Sequence, residues 1–148
     1  MVKMKQTYII IVFCILNMML FSCKKKVVEV VEDTYTNGAP RLVRTYEKGE
    51  NGEKKGLLSE KAFYPEKNKI QLEGTYKNDK RNGTWTFYYE NGNKWSEAEY
   101  KDGLNNGKSV TWFENGKKRY EGYYKDGKQT GKWKFWDEQG KFVKEISY

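Results

Sequence analysis

Short runs of alternating hydrophobic and polar residues dominate the chain, and turn residues separate them. In "TWTFYY", Trp85 and Phe87 alternate with threonines. Because successive side chains of a strand point to opposite faces, this alternation predicts half-buried β-strands. Asn-Gly pairs begin at Asn91 and Asn115, and they predict type I′ hairpin turns with both central residues at positive φ. Longer turn-rich loops such as "KDGLNNG" and "KDGKQTG" are expected at the other strand ends.

The alternation recurs with a period of 24 residues. Glutamate, tyrosine and two sets of glycine follow this step: Glu73, Glu97, Glu121 and Glu145; Tyr76, Tyr100, Tyr124 and Tyr148; Gly83, Gly107 and Gly131; Gly92, Gly116 and Gly140. Less regular copies reach back to Tyr35, with an insertion of six or seven residues around Glu50 that is expected in a loop. The sequence therefore predicts an all-β protein, an elongated antiparallel β-hairpin meander of four to five hairpins over residues 35–148.

Small residues form one column of the repeat, at Gly74, Ala98 and Gly122. A ring from a neighbouring hairpin fits over a backbone that lacks a large side chain, so aromatic packing is expected along this column. Ile146 interrupts the column, and we interpret it as a terminal cap. Since only 37% of the chain is hydrophobic while 16% is aromatic, rings must supply most of the core.

The amino-terminal segment has the pattern of a secretory signal. Lys3 and Lys5 precede a mainly apolar run, Ile9 to Phe21, which is short for a membrane span. The run ends in "LFSC", which resembles the bacterial lipobox. The resemblance implies that residues 1–22 form a lipoprotein signal peptide and that Cys23 becomes the lipidated first residue. An uncleaved anchor with Cys23 as an ordinary thiol is the alternative.

Residues 23–34 then follow as a lipid-anchored linker that can become an edge strand. Several acyl chains give stable anchoring where one is marginal, and Lys24, Lys25 and Lys26 add attraction to anionic headgroups. We therefore expect a lipid-anchored protein of the bacterial cell envelope, at the outer membrane, with its periplasmic or surface face left open. Cys14 leaves with the signal, so no thiol is expected to remain free.

Charge and composition exclude most enzyme classes. The chain of 148 residues carries +8, and removing Lys3 and Lys5 from its 28 basic residues leaves 26 against 20 acidic ones, or +6. Its lack of histidine removes the commonest general base and zinc ligand. The repeated glutamates are better explained by cross-strand pairing with lysine than by paired-carboxylate catalysis. We expect no enzyme activity, no cofactor and no metal.

One repeat, "YKDGKQTGKWKFWDEQGK" from Tyr124 to Lys141, resembles the bacterial variant of the MORN repeat, which occurs in proteins labelled as YwqK-family toxin-antitoxin antitoxins. The resemblance covers residues 35–148. It implies a twisted sheet of successive hairpins and a binding or scaffolding role, without a shared ligand. The sequence departs from the pattern at Asp79, at Ser109 and in the insertion, where regular strand stacking is in doubt.

The candidate binding residues are a column of rings and three nearby lysines: Tyr88, Trp112, Trp136, Lys108, Lys132 and Lys134. Such rings can stack on a glycan or receive an extended peptide, while the lysines attract acidic groups. Alternatively, the rings only pack hairpin on hairpin.

The leading hypothesis is a membrane-anchored module that binds a protein or an envelope glycan. An antitoxin that neutralises one toxin, and a structural spacer, are the alternatives. Export argues against nucleic acid, and open sheet edges favour homo-oligomers.

Overall fold

A computed structural model describes residues 26–65 and 69–148, which form an all-β structure without helices. Eleven strands lie in this described part: β1 Val27–Thr34, β2 Pro40–Lys48, β3 Lys54–Phe63, β4 Ile70–Lys77, β5 Lys80–Arg81, β6 Gly83–Tyr88, β7 Lys94–Lys101, β8 Leu104–Trp112, β9 Lys118–Lys125, β10 Lys128–Trp136 and β11 Phe142–Ser147. No described segment is a helix long and apolar enough to cross a membrane. The predicted signal peptide, residues 1–22, and the predicted lipidation site Cys23 lie outside the described residues.

All strands belong to one antiparallel sheet in the order β1-β2-β3-β4-β6-β7-β8-β9-β10-β11, and the short β5 pairs with β4. Apart from the short β5, each strand pairs with the strands before and after it in the chain, which confirms the predicted antiparallel meander. Residues 23–34 contribute β1, which pairs with β2 from Val27 onwards. The sheet therefore extends upstream of Tyr35, and Val27–Thr34 of the predicted linker form an edge strand.

The two kinds of turn are the reverse of the sequence expectation. At Asn91-Gly92 only the glycine has positive φ (87°). Gly92 N–H donates to the Tyr89 carbonyl over 2.9 Å, and Asn91 Oδ1 accepts from Asn93 N–H over 2.9 Å. This is the pattern of a type I turn followed by a left-handed glycine. The type I′ prediction is therefore wrong here, because the asparagine side chain bonds across the turn instead of the backbone adopting positive φ.

Type I′ turns lie at the other strand ends, where longer loops were expected. Asp102 and Gly103 both have positive φ, 51° and 88°, and they join β7 directly to β8. Asn78 and Asp79 adopt the same conformation with φ of 51° and 58°, so Asp79 does not disturb the hairpin. The remainder of "KDGLNNG" lies inside β8. The insertion near Glu50 is a shorter loop than predicted, residues 49–53, because β3 already begins at Lys54.

Bulges interrupt the ladder at regular positions. Two residues of β8 are extra where Ser109 pairs with Ala98 and Asn105 pairs with Tyr100, near the left-handed Gly107. A second kind adds one residue near the start of β2, β4, β7, β9 and β11, and the extra residues form an exposed column: Arg41, Gln71, Trp95, Arg119 and Val143. A bulged residue has no partner opposite it on the neighbouring strand, so its side chain need not follow the alternation of the two faces.

The fully buried indoles lie on one surface of the sheet, called here the aromatic face, while the smaller buried residues Val43 and Val110 lie on the other. Trp85 and Trp133 are 0% and 2% exposed. A Cβ added to Gly74 would lie 2.2 Å from the Trp85 ring, and one added to Gly122 would lie 2.3 Å from the Trp133 ring. Tyrosines close around the indoles edge-on, for example Tyr124 with its centroid 5.0 Å from that of Trp133. The expected stacking of rings over small residues is confirmed at Gly74 and Gly122.

The middle repeat is different, although its strands remain paired on both sides. Ser109 occupies the position of Trp85 and Trp133, and the residue beneath it is Ala98, where the other repeats have glycine. The two changes fit each other, because an alanine Cβ would occupy the space that an indole needs. The sheet thus keeps its backbone pairing while its layer of rings is interrupted at β7 and β8.

Candidate binding surfaces

The opposite surface, called here the charged face, carries the repeated glutamates. Each is within salt-bridge distance of a lysine: Lys61 and Glu73 (3.6 Å), Lys94 and Glu97, Lys108 and Glu121 (3.9 Å), and Lys132 and Glu145 (2.8 Å). The predicted cross-strand pairing with lysine is confirmed for Glu73, Glu121 and Glu145, whereas Glu97 pairs with a lysine of its own strand. Their positions follow from strand alternation, since Glu97 and Glu121 lie one residue away from the small residues of the aromatic face.

The three candidate lysines line one depression on the charged face. It has a volume of about 420 Å³ and is lined by Lys108, Lys132 and Lys134 from β8 and β10, with Glu121, Tyr123 and Glu145. Lys134 is the direct neighbour of both glutamates in the ladder, but it forms no ion pair within the described part of the chain. Three ammonium groups against two carboxylates leave the depression positively charged.

Ion pairing fixes the charge state of these carboxylates. Lys118 Nζ donates to Glu121 Oε2 over 2.8 Å, and this hydrogen bond is the main reason that the pKa of Glu121 lies below its ordinary value. A hydrogen bond from Lys132 likewise lowers the pKa of Glu145, and Glu145 raises the pKa of Lys132 in return. Glu121, Glu145 and Lys132 are therefore charged at neutral pH.

The three candidate rings lie on the same face, beside the turns that follow β6, β8 and β10. Lys94 Nζ lies 5.8 Å from the centroid of Trp112, and Lys118 Nζ lies 5.7 Å from that of Trp136. Tyr88 donates its hydroxyl to Glu73 Oε1 over 2.9 Å, and burial followed by this carboxylate raises the pKa of Tyr88. All three rings are half-buried, and the depression lies further along β8 and β10, the strands that carry Trp112 and Trp136.

A ladder at the turns, which sequence reasoning missed, links one hairpin to the next. Tyr64 donates its hydroxyl to the Tyr88 carbonyl over 2.7 Å, and Tyr89 donates to the Trp112 carbonyl over 3.0 Å. The amide of Asn115 donates to the Glu138 carbonyl over 2.8 Å. In each of these hydrogen bonds the donor and the acceptor are 23 or 24 residues apart, so the repeat period could have predicted them. These side chains hold hairpins together, so we assign them no part in binding.

Within residues 26–65 and 69–148, no group of acidic, cysteine or histidine side chains is arranged to hold a metal ion. The glutamates of the charged face are distributed along the repeat, each with its own lysine. The arrangement offers charge and flat aromatic surface, which are features suited to binding.

Comparison with known families identifies the repeat. Residues 81–102, 105–126 and 129–148 match the family described as MORN repeat variant. The matches cover most of β6 to β11, including the depression and the rings Trp112 and Trp136, and repeats of this family are generally associated with binding or scaffolding. No curated protein matches the chain.

Proposed function

We propose that this chain is a non-enzymatic binding module that is anchored by lipid at Cys23 in the bacterial cell envelope and holds an acidic segment of a partner protein. The observation that carries the proposal is the excess of lysine over carboxylate in the depression formed by Lys108, Lys132 and Lys134. An extended acidic segment can pair with Lys134, which makes no ion pair with the described residues, and can lie along the row of rings beside it.

The structure favours a protein over a small molecule as the occupant. The depression opens onto the face of the sheet, and the rings beside it follow the regular spacing of the repeat. Small-molecule sites are usually concave and enclose most of their ligand. A protein segment instead contacts a broad surface through several modest interactions. The envelope location is supported by the "LFSC" motif after the apolar run.

Crosslinking of the full chain in its native cells, followed by mass spectrometry, tests the partner. Lys108→Gln with Lys134→Gln removes two positive charges from the depression, and we expect the specific partner to be lost. Lys125→Gln with Lys128→Gln is the matched control, because it removes two exposed lysines at a type I′ turn. The control should retain the partner.

The same experiment separates the alternatives. Recovery of one toxin, together with protection of cells against that toxin alone, would favour the antitoxin hypothesis. An identical set of captured proteins for the native chain and both variants would contradict the proposed site and favour a structural spacer. A Tyr88, Trp112 and Trp136 triple alanine variant, used only if its β-structure survives, tests the rings in the same way.

Lipidation is tested on the full chain with a fatty-acid analogue. Cys23→Ala should abolish labelling and leave an unprocessed precursor, whereas Cys14→Ala should be labelled and processed like the native chain. Labelling of Cys23→Ala at the native level would remove the lipid anchor from the proposal while leaving the charged face untested by that result.

A further inference from the structure

The aromatic face contains a groove where the middle repeat lacks its rings. The groove is lined by Phe87 and Trp95 on one side and by Arg119 and Tyr120 on the other, over Ser96 and Thr111, and its volume is about 330 Å³. This lies within the range of ordinary ligand pockets, at its lower end. It is on the surface opposite the lysine depression, so it is independent of the function proposed above.

Comparison of the repeats shows how the groove arises. Phe87, Ser96, Thr111 and Tyr120 are successive partners in one row of the sheet, continued by Phe135. One period after Ser96, Ser109 and Thr111, the chain has Tyr120, Trp133 and Phe135. Those three rings form a cluster, with Tyr120 5.6 Å from Trp133 and 6.0 Å from Phe135 between centroids. The middle repeat therefore replaces a three-ring cluster with three hydroxyl residues.

Two bulges shape the rim of the groove. Trp95 is the extra residue of β7, is 46% exposed, and stands edge-on to Phe87 at 5.9 Å. Arg119 is the extra residue of β9, and its guanidinium lies 5.7 Å from the Phe113 ring. Arg119 makes no ion pair with any carboxylate among the described residues. The rim thus combines an exposed ring on one side with an arginine that lacks an acidic partner on the other.

The floor of the groove holds a polar group that lacks a partner. Thr111 is 4% exposed, and its hydroxyl forms no hydrogen bond with the described residues. An unpaired buried hydroxyl is unfavourable. In the flanking repeats, the indole that covers the small residue also donates a hydrogen bond to a backbone carbonyl, as Trp133 does to Tyr123 over 3.2 Å. The missing rings and the unpaired Thr111 hydroxyl together point to an occupant with an aromatic ring that carries a polar atom.

We infer that this groove binds a segment of a partner protein that presents a tryptophan beside an acidic residue. The indole enters between Phe87 and Tyr120, takes the place of the missing rings and supplies a partner for Thr111. The adjacent carboxylate pairs with Arg119 at the rim. A protein segment is favoured over an acyl chain because the floor is lined by hydroxyl residues and the rim carries an arginine.

Methyl NMR of the full chain in detergent micelles, with ¹³C-labelled threonine methyl groups, tests this inference directly. The probe is the peptide acetyl-Gly-Asp-Trp-Gly-amide. We expect it to shift the Thr111 methyl signal saturably and to leave that of Thr86, which faces the opposite surface, unchanged. Replacing Asp by Asn in the peptide should weaken binding about two- to fivefold, as for a solvent-exposed ion pair. Replacing Trp by Leu should weaken it further.

Two variants keep the inference falsifiable. Ser96→Tyr copies Tyr120 and fills the groove while retaining the Thr111 methyl, so the response should vanish. Arg119→Gln should weaken the Asp peptide to the level of the Asn peptide and leave the Asn peptide unaffected. No shift of Thr111 up to the solubility limit, an equal shift of Thr86, or an undiminished response in folded Ser96→Tyr would each overturn the inference. A response to anionic vesicles without one to the peptide would instead assign the groove to lipid.

Discussion

At the scale of the residue, the fold depends on contacts between a ring and a bare backbone. Gly74 and Gly122 adopt backbone conformations without positive φ, so steric space explains their identity better than conformational freedom. Each lies under an indole that a Cβ would penetrate. The pair Ala98 and Ser109 shows the converse. Where alanine replaces the glycine beneath the ring, serine replaces the tryptophan.

Gly122→Ala should therefore destabilise the native chain by about 1–3 kcal/mol, which is typical of overpacking. In a Trp133→Ser background the same change should cost almost nothing, because the ring that it meets is gone. Denaturant unfolding of the native chain, the two single variants and the double variant measures the difference between the two costs. Gly56→Ala is the control, since a Cβ there meets no atom within 4 Å. Equal costs in both backgrounds would contradict steric coupling to Trp133.

At the scale of the element, the two turn types have different requirements. The Asp102-Gly103 turn needs two residues with positive φ, whereas the Asn-Gly turns need only the glycine. Sequence patterns located every strongly repeated hairpin correctly but assigned the wrong turn type, because Asn-Gly is compatible with both. The bulges were also invisible in the sequence, since the extra residues recur with the same 24-residue step as the paired ones.

Substitution of Gly103 should depend on how well the new residue tolerates its φ of 88°. Gly103→Asp reproduces Asp79 of the preceding repeat, so its cost should be small. Gly103→Val should cost about 1–2 kcal/mol or more, the penalty of left-handed backbone for an ordinary L-residue. Thermal unfolding followed by circular dichroism compares the two. Identical midpoints would show that the turn is not under this constraint.

The carboxylates of the charged face should make stability fall in acid. Since the pKa of folded Glu121 is lowered, chiefly by Lys118, its stabilisation is complete above the unfolded pKa of about 4.3 and is lost as the pH falls through the folded value. Glu121→Gln should reduce the loss of unfolding free energy between neutral pH and roughly pH 3. The effect should be below about 1 kcal/mol because solvent screens the pairs.

Glu138→Gln is the control for this measurement, since Glu138 is an exposed turn residue without an ion pair in the described structure. If both variants keep the full acid dependence of the native chain, then the Lys118 pair does not contribute to it.

At the scale of the whole molecule, the sheet is a single layer in which, apart from the short β5, each strand pairs only with the strands before and after it in the chain. Stability in such arrays is approximately a sum of units and interfaces. The meander, its period and the aromatic core were predictable from sequence because they follow local rules. The groove was not, because it depends on Phe87, Thr111 and Tyr120 sharing one row, and register across bulges decides that.

Removal of one complete period should preserve the fold. Deletion of residues 92–115 joins Asn91 to Gly116 and places β9 beside β6 with the same polarity that β7 has now. We expect a β-type circular dichroism spectrum and a lower unfolding temperature. Deletion of residues 92–103 removes half a period and one strand direction, so it should not fold stably. Equal behaviour of the two deletions would contradict the 24-residue unit.

The column of bulged residues gives each repeat a different exposed side chain at an equivalent position. Its positions contribute no cross-strand pair, so Gln71, Trp95, Arg119 and Val143 are chemically unlike one another although they occupy equivalent places. Two strands per repeat place them about 9.5 Å apart. The sheet therefore presents a row of exposed positions at constant spacing, each with a different side chain. Gaining or losing a repeat would change the length of this row without changing the spacing between its positions.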